Sequence, residues 1–200
     1  MPVIGSRQSI RIEASLPEYF RRRLRRRAAH LRPPPADDTL WYLGEMMHRF
    51  SFSDNFFDYY QGQLGNRPLA LLYGDAQATR DPRLRCLLLQ RLGDLALFLG
   101  AFFPERYAKR GIHQDYFVGM GSAAYDYLSE KARHHRHIYR ELTDGFVHML
   151  ELVAHAGSNG GESDSERVLR LYARWLETGD PTLAVQLRRL GVTPQSREGH

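Results

Sequence analysis

Six arginines in seven residues, Arg21, Arg22, Arg23, Arg25, Arg26 and Arg27, form the densest group of chemically competent side chains in the sequence. A guanidinium presents a planar fork of donors that matches phosphate and carboxylate. On a helix, this density could contact nucleic-acid phosphates with a strong dependence on salt. It could also lie on an anionic membrane or dock on an acidic protein. No Asn or Gln is interleaved with the arginines, so readout of base edges is not expected. The plainer reading is a solvated face in an arginine-rich chain, where only Lys109 and Lys131 of 28 basic residues are lysine.

Histidine and carboxylate spacing offers two further groups. Glu45-Met46-Met47-His48 is a Glu-x-x-His step, which puts both side chains on one helix face, as in di-iron bundles. Such sites need a second copy of the step and two more glutamates, and no second copy is found. Glu130, His134, His137 and Glu141 recur at i, i+4, i+7 and i+11. On an unbroken helix that spacing aligns them on one face, where histidines can bind zinc or nickel. Lys131, Arg133, Arg136 and Arg140 lie among them and would repel a cation, which favours a solvated face. His148 and His155 follow as core-edge histidines. No nucleophile elbow, P-loop, dinucleotide fingerprint or zinc-finger spacing occurs.

The elements that must position these groups read as helices. Ser15-Leu16-Pro17-Glu18 combines a capping serine, a first-turn proline and a glutamate three residues after the serine. Leu16, Phe20, Leu24, Ala28 and Leu31 make one apolar stripe with the arginines around it, and Pro33-Pro34-Pro35 ends the segment. Asp37-Asp38-Thr39 caps a second helix, with Leu40, Leu43, Met47 and Phe50 inward. An aromatic cluster, Phe56, Phe57, Tyr59 and Tyr60, precedes a loop or broken helix over 61–67, and 68–78 is helical. Asp81-Pro82 opens a helix that runs through Cys86, Leu89 and Gly93 to Phe103, where Pro104 stops it. From about Gln114 one long helix is expected to about Ala156, kinked near Gly119, Gly121 or Gly145. Residues 156–161 form a glycine-rich linker. Ser163 and Glu166 make a second capping box, opening a helix that Gly179 ends. Asp180-Pro181 starts the last helix, with Leu183, Leu187 and Leu190 inward and Gly191 as its C-cap. No alternating strand pattern of useful length is seen.

Gly93, Gly100, Gly119 and Gly121 lie within two of these helices. Glycine costs a helix interior about 1 kcal/mol relative to alanine, so close backbone approach is the expected compensation. Two helices packed tightly at the centre of a bundle would use it. A flat ligand such as a porphyrin would be the sharper use. Tyr, Asp and Glu residues beside the glycines read as structural hydrogen-bond partners.

Composition narrows the classes. Two hundred residues, 42% hydrophobic and 12% aromatic, can build one core without disulfides. Cys86 is the only cysteine, which excludes a disulfide framework or a cysteine-rich metal site and suits a reducing cytoplasm. No apolar run is long enough to span a membrane, and the first residues lack a secretory apolar segment. Residues 1–32 hold nine arginines against Glu13 and Glu18, an excess of seven charges, while the rest of the chain carries 19 basic and 21 acidic residues. The basic character is local.

Two resemblances bear on fold. Residues 92–105, the triplet Asp115-Tyr116-Phe117, the run 119–125 and the ending from Tyr172 to Gly191 resemble a family of all-helical bacterial proteins to which no activity is attached. The resemblance covers about half the chain and implies a helical fold and a bacterial origin. Leu92-Gly93-Asp94-Leu95 is similar to the distal helix of heme oxygenases, which would make His30 or His48 the proximal ligand.

Together these features predict an all-α single-domain bundle of six to eight helices with a short C-terminal helical pair. Residues 1–14 are expected to be a mobile N-terminus, 15–156 the bundle with its basic first helix, and 157–200 the linker and helical pair. The expected function is that of a non-enzymatic interaction or adaptor protein of the bacterial cytoplasm, with another protein as partner. The alternatives are a nucleic-acid-associated regulator binding through 15–32, and a heme- or metal-binding helical protein. No cofactor is expected under the first reading; heme or a divalent metal belongs to the last. Oligomeric state is left open.

Overall fold

In a computed structural model, the described residues are 15–50, 58–60, 63–65, 69–157, 168, 171, 172, 174, 175, 178–190 and 192–194. Helix α1 (Leu16–Ala28) starts at Ser15 with Pro17 in its first turn, but the Ser15 side chain makes no capping hydrogen bond. Glu18 pairs instead with Arg21 at 2.5 Å. The expected stripe is buried as far as Ala28, whereas Leu31 lies beyond the helix and packs half-buried against the core. Helix α2 (Asp37–Phe50) buries Leu40, Leu43, Met46 and Met47. Each such side chain contributes about 1.5–3 kcal/mol by leaving water.

A two-stranded hairpin follows, its first strand in the aromatic cluster and its second where the loop or broken helix over 61–67 is expected. Strand β1 (Asp58–Tyr60) pairs antiparallel with β2 (Gln63–Gly65), and Asp58, Tyr59 and Tyr60 face Gly65, Leu64 and Gln63. Three-residue strands are too short to show alternation in sequence. Phe56 and Phe57 lie outside the described residues. Helix α3 (Leu69–Ala78) leads to the long α4 (Pro82–Phe102). The start of α4 is a local device: Asp81 accepts a hydrogen bond from the backbone N–H of Arg83 at 2.8 Å, with Pro82 in the first turn. Pro104 ends α4 and opens the single turn α5 (Pro104–Ala108).

The segment from Gln114 is not one helix. It divides into α6 (Gln114–Lys131), α7 (Arg136–Asp144) and α8 (Phe146–Gly157). The first break runs through Ala132 to His135, and His135 adopts the left-handed region at φ 63°. Histidine enters that region more readily than most non-glycine residues. The second break is at Gly145. Helix α9 (Pro181–Arg189) repeats the start of α4, with Asp180 accepting from the Thr182 N–H at 2.7 Å. Gly179 just before it is left-handed at φ 64°, and its N–H closes the preceding turn on Trp175 O at 2.7 Å. Ala156 and Gly157, expected to open the linker, are instead the last residues of α8; 158–161, the Ser163–Glu166 capping box and Gly191 lie outside the described residues.

Among the described residues this is an all-α fold, with eight helices of nine residues or more besides the α5 turn and the hairpin. Helix α4 is central, with its most extensive interface against α6 and further packing on α3 and α8, while α1 packs on α2 and α8. One continuous core joins them. Val168, Tyr172, Leu187 and Val192 belong to that same core, so the C-terminal segment docks on the bundle.

The glycines divide by face. A Cβ at Gly93 would stand 2.7 Å from the Tyr125 ring, one at Gly100 would stand 2.9 Å from Leu150 and 3.1 Å from Phe117, and one at Gly121 would run into the Phe146 ring. Gly119 is a correction to the set: it is exposed, with nothing within 4 Å of the position a Cβ would take. Two residues turn an α-helix by about 200°, so Gly119 and Gly121 cannot share a contact face. Gly93→Ala is therefore expected to destabilise by about 1–3 kcal/mol through overpacking on Tyr125. Gly119→Ala should stabilise by about 0.5–1 kcal/mol. Urea denaturation of both variants checks the pair, and the reverse ordering would overturn the assignment of faces.

Candidate functional site

On α1 the apolar stripe is consumed by the core, with Leu16, Phe20, Leu24 and Ala28 at most 2% exposed. Only the guanidinium side remains for a partner, and the six arginines are not equivalent on it. Arg21 pairs with Glu18. Arg23 donates to the Tyr19 hydroxyl at 2.7 Å, and its guanidinium lies 5.5 Å from that ring. Arg25 reaches Asp37 of α2 at 3.2 Å. Arg22, Arg26 and Arg27 make no ion pair or hydrogen bond among the described residues, and Arg26 and Arg27 are exposed.

The Glu130, His134, His137 and Glu141 series is dispersed by the break before α7. Glu130 lies in the last turn of α6, His134 in the connection, and His137 and Glu141 on α7. Glu141 has another task. Its carboxylate accepts from the backbone N–H of Ala36 at 3.0 and 3.3 Å, and from the Thr39 hydroxyl. It therefore supplies the N-terminal cap of α2 from across the fold, in place of the local cap expected of Asp37-Asp38-Thr39. His137 Nε2 lies 3.2 Å from Asp38, close to the same helix start. No three or more His, Cys, Asp or Glu residues among the described residues are arranged to hold a metal ion. Glu45 and His48 are both half-buried on α2, where burial lowers the His48 pKa and Glu45 opposes the shift. His148 and His155 are exposed rather than at the core edge. His30, His137 and His148 line a cleft of about 720 Å³ beside Glu141 and Asp144.

The most unusual polar group is Asp94, beside Gly93, where a structural hydrogen-bond partner is expected and found. Asp94 on α4 is 2% exposed. One of its oxygens, Oδ1, accepts from the Tyr42 hydroxyl of α2 at 2.6 Å and from the Tyr125 hydroxyl of α6 at 2.8 Å. The other, Oδ2, takes the Arg49 guanidinium at 2.8 Å. Gln90 donates to the Tyr42 oxygen at 3.3 Å. The Tyr139 ring of α7 lies against both tyrosines, edge-on to Tyr42 at 5.8 Å and stacked on Tyr125 at 5.9 Å. Burial raises the Asp94 pKa, while Arg49 and the two hydroxyls pull it down. Burial, with Asp94 alongside, pushes Tyr42 and Tyr125 well above the ordinary tyrosine value, and Tyr139 to about 12. Tyr42 and Tyr125 stay protonated donors, and the carboxylate is enclosed by its own partners. The arrangement joins α2, α4 and α6 around a carboxylate that is itself 2% exposed.

A signal for this cluster exists in the sequence. Asp94 is the only charged residue in the otherwise apolar run 92–103, and a buried charge needs partners. Those partners, 45 to 52 residues upstream and 31 downstream, carry no pattern that announces them. The glycine faces that a flat ligand would need are filled by Tyr125, Phe117 and Phe146. Compared with family models, curated proteins and solved structures, the chain matches none. Among the described residues, no helix is long and apolar enough to cross a membrane.

Asp94→Ala leaves two buried hydroxyls without their acceptor and should cost about 2–5 kcal/mol. Asp94→Asn keeps an acceptor for the tyrosines and should cost less. Because the folded-state pKa of Asp94 is raised, the folded state holds its proton more tightly than the unfolded chain does. The stability linked to this group is then fully present at pH below the ordinary carboxyl value. It declines as pH rises from that value to the raised one, and levels off above. Urea titrations across acidic pH should show this decline in the wild type and not in Asp94→Asn; identical profiles would refute it.

Proposed function

We propose that this protein is a non-enzymatic interaction protein that docks an acidic protein surface through the outward arginines of α1. The observation that carries this reading is the division of the arginine cluster. Arg21, Arg23 and Arg25 are engaged within the fold, while Arg22, Arg26 and Arg27 have no internal partner among the described residues. Retaining unpaired guanidinium groups side by side favours a partner that brings carboxylates.

The surroundings favour a compact acidic patch over a nucleic acid. Glu18, Asp37 and Asp38 lie in or beside this helix pair, and the Asp37 and Asp38 side chains are 75% and 74% exposed. A continuous phosphate backbone would meet these like charges, whereas a protein partner can place its acids opposite the arginines alone. Insertion into a bilayer would need the apolar stripe, which is already buried.

The triple variant Arg22→Glu/Arg26→Glu/Arg27→Glu tests this reading. Its folding stability should change by less than about 1 kcal/mol per site, since surface substitutions seldom matter more. Binding to immobilised polyglutamate should fall at least about tenfold, and wild-type binding should weaken as salt is raised. Equal retention of both proteins would remove the proposal. Tighter, mutation-sensitive binding to duplex DNA than to polyglutamate would replace it with the nucleic-acid reading.

A further inference from the structure

A second concentration of basic side chains lies away from α1, where the start of α4 meets the end of α6 and the turn into α7. Arg83, Lys131, Arg133, His134 and His135 stand around a cleft of about 570 Å³. All five are exposed. Lys131 lies 3.9 Å from Glu130, with both side chains more than half exposed, a separation at which an exposed pair contributes little. The side chains of Arg83, Arg133, His134 and His135 have no carboxylate partner among the described residues. The one acid lining the cleft, Asp81, is already the cap of α4.

The floor is of a different kind. Leu128, Ala132 and Tyr139 are buried, and Leu87 stands at the lip with 62% of its surface exposed. Gln90, also on the floor, donates to the Tyr42 hydroxyl that holds Asp94, so the base of the cleft is braced by the buried network. His135, left-handed at φ 63°, forms the corner of the wall and gives α7 no side-chain cap. Unpaired basic groups around an apolar floor, in a cavity of metabolite size, form the usual outline of a small-molecule site.

We propose that this cleft binds a small organic anion that carries an apolar ring: the ring lies on Leu87, Leu128 and Tyr139, and a phosphate monoester or carboxylate meets Lys131 and Arg133. The site shares no residue with the arginine face of α1 and stands or falls independently of it.

Cys86 gives a direct readout, because it is the only cysteine of the chain and lines the cleft. The test is the rate of its alkylation by iodoacetamide, a neutral reagent, with and without 1-naphthyl phosphate, 1-naphthoate or inorganic phosphate. At about ten times Kd, a naphthyl anion should slow the reaction about tenfold. The slowing should weaken at about 1 M salt, where charges act only over about 3 Å. Lys131→Glu/Arg133→Glu should lose the protection while keeping the wild-type melting temperature, both side chains being exposed. Whether the phosphate or the carboxylate protects better identifies the anionic group. The proposal is overturned by any of three results: no protection at millimolar concentration, equal protection in the variant, or inorganic phosphate protecting as well as the naphthyl compounds. Should the variant melt early, the wild type decides alone, and protection that salt leaves unchanged would overturn the proposal.

Discussion

A carboxylate held out of water at the crossing of three helices is the constraint around which the bundle closes. Asp94 sits on α4 and receives a hydroxyl from α2, a hydroxyl from α6 and a guanidinium from the end of α2. An isolated charge there would be too costly to bury, so each partner is needed by the others. The requirement is directional where hydrophobic burial is not. It sets the rotation of α2 and α6 about their axes and their height along α4. Gly93, next to Asp94, lets the Tyr125 ring approach closely enough for its hydroxyl to reach the carboxylate. Packing and polar satisfaction are thus one geometric solution.

A second polar seam ties the first two helices to α7. Glu141 caps α2 through Ala36 and Thr39, His137 lies against Asp38, and Arg25 reaches Asp37. Groups that would form a metal face or a uniform basic surface on unbroken, unpartnered helices are thereby divided between internal and external duties. Among the described residues, the basic groups left outward gather on part of one face of α1 and at the rim of the cleft between α4, α6 and α7, with exposed acids such as Asp37 and Asp38 nearby. The partners proposed for them are both anionic, an acidic protein surface for the first and a small organic anion for the second.

Much of the architecture was legible because its causes are local. Asp81-Pro82 and Asp180-Pro181 start helices through hydrogen bonds that span two residues. The stripe on α1 follows from 3.6-residue periodicity, and the helix stop at Phe103-Pro104 from the steric demands of the ring. Periodicity also held the answer for Gly119, which sits about half a turn from the contact face occupied by Gly121. Ser15 shows the limit of a local motif: the box residues are present, yet Glu18 answers to Arg21 and the serine makes no cap.

The sequence by itself determined the helical class, the burial of the α1 stripe and the charge asymmetry, because each depends on residues within a turn or two of one another. Tertiary structure alone decided the rest. The break at Ala132–His135 has no glycine or proline to mark it, and it scatters a histidine series that would align on a continuous helix. Asp94 acquires its meaning from residues 31 to 52 positions away, and Glu141 from residues more than 100 positions away. Hydrogen bonds and ion pairs act over a few ångströms in space, and chain separation places no constraint on which residues meet there.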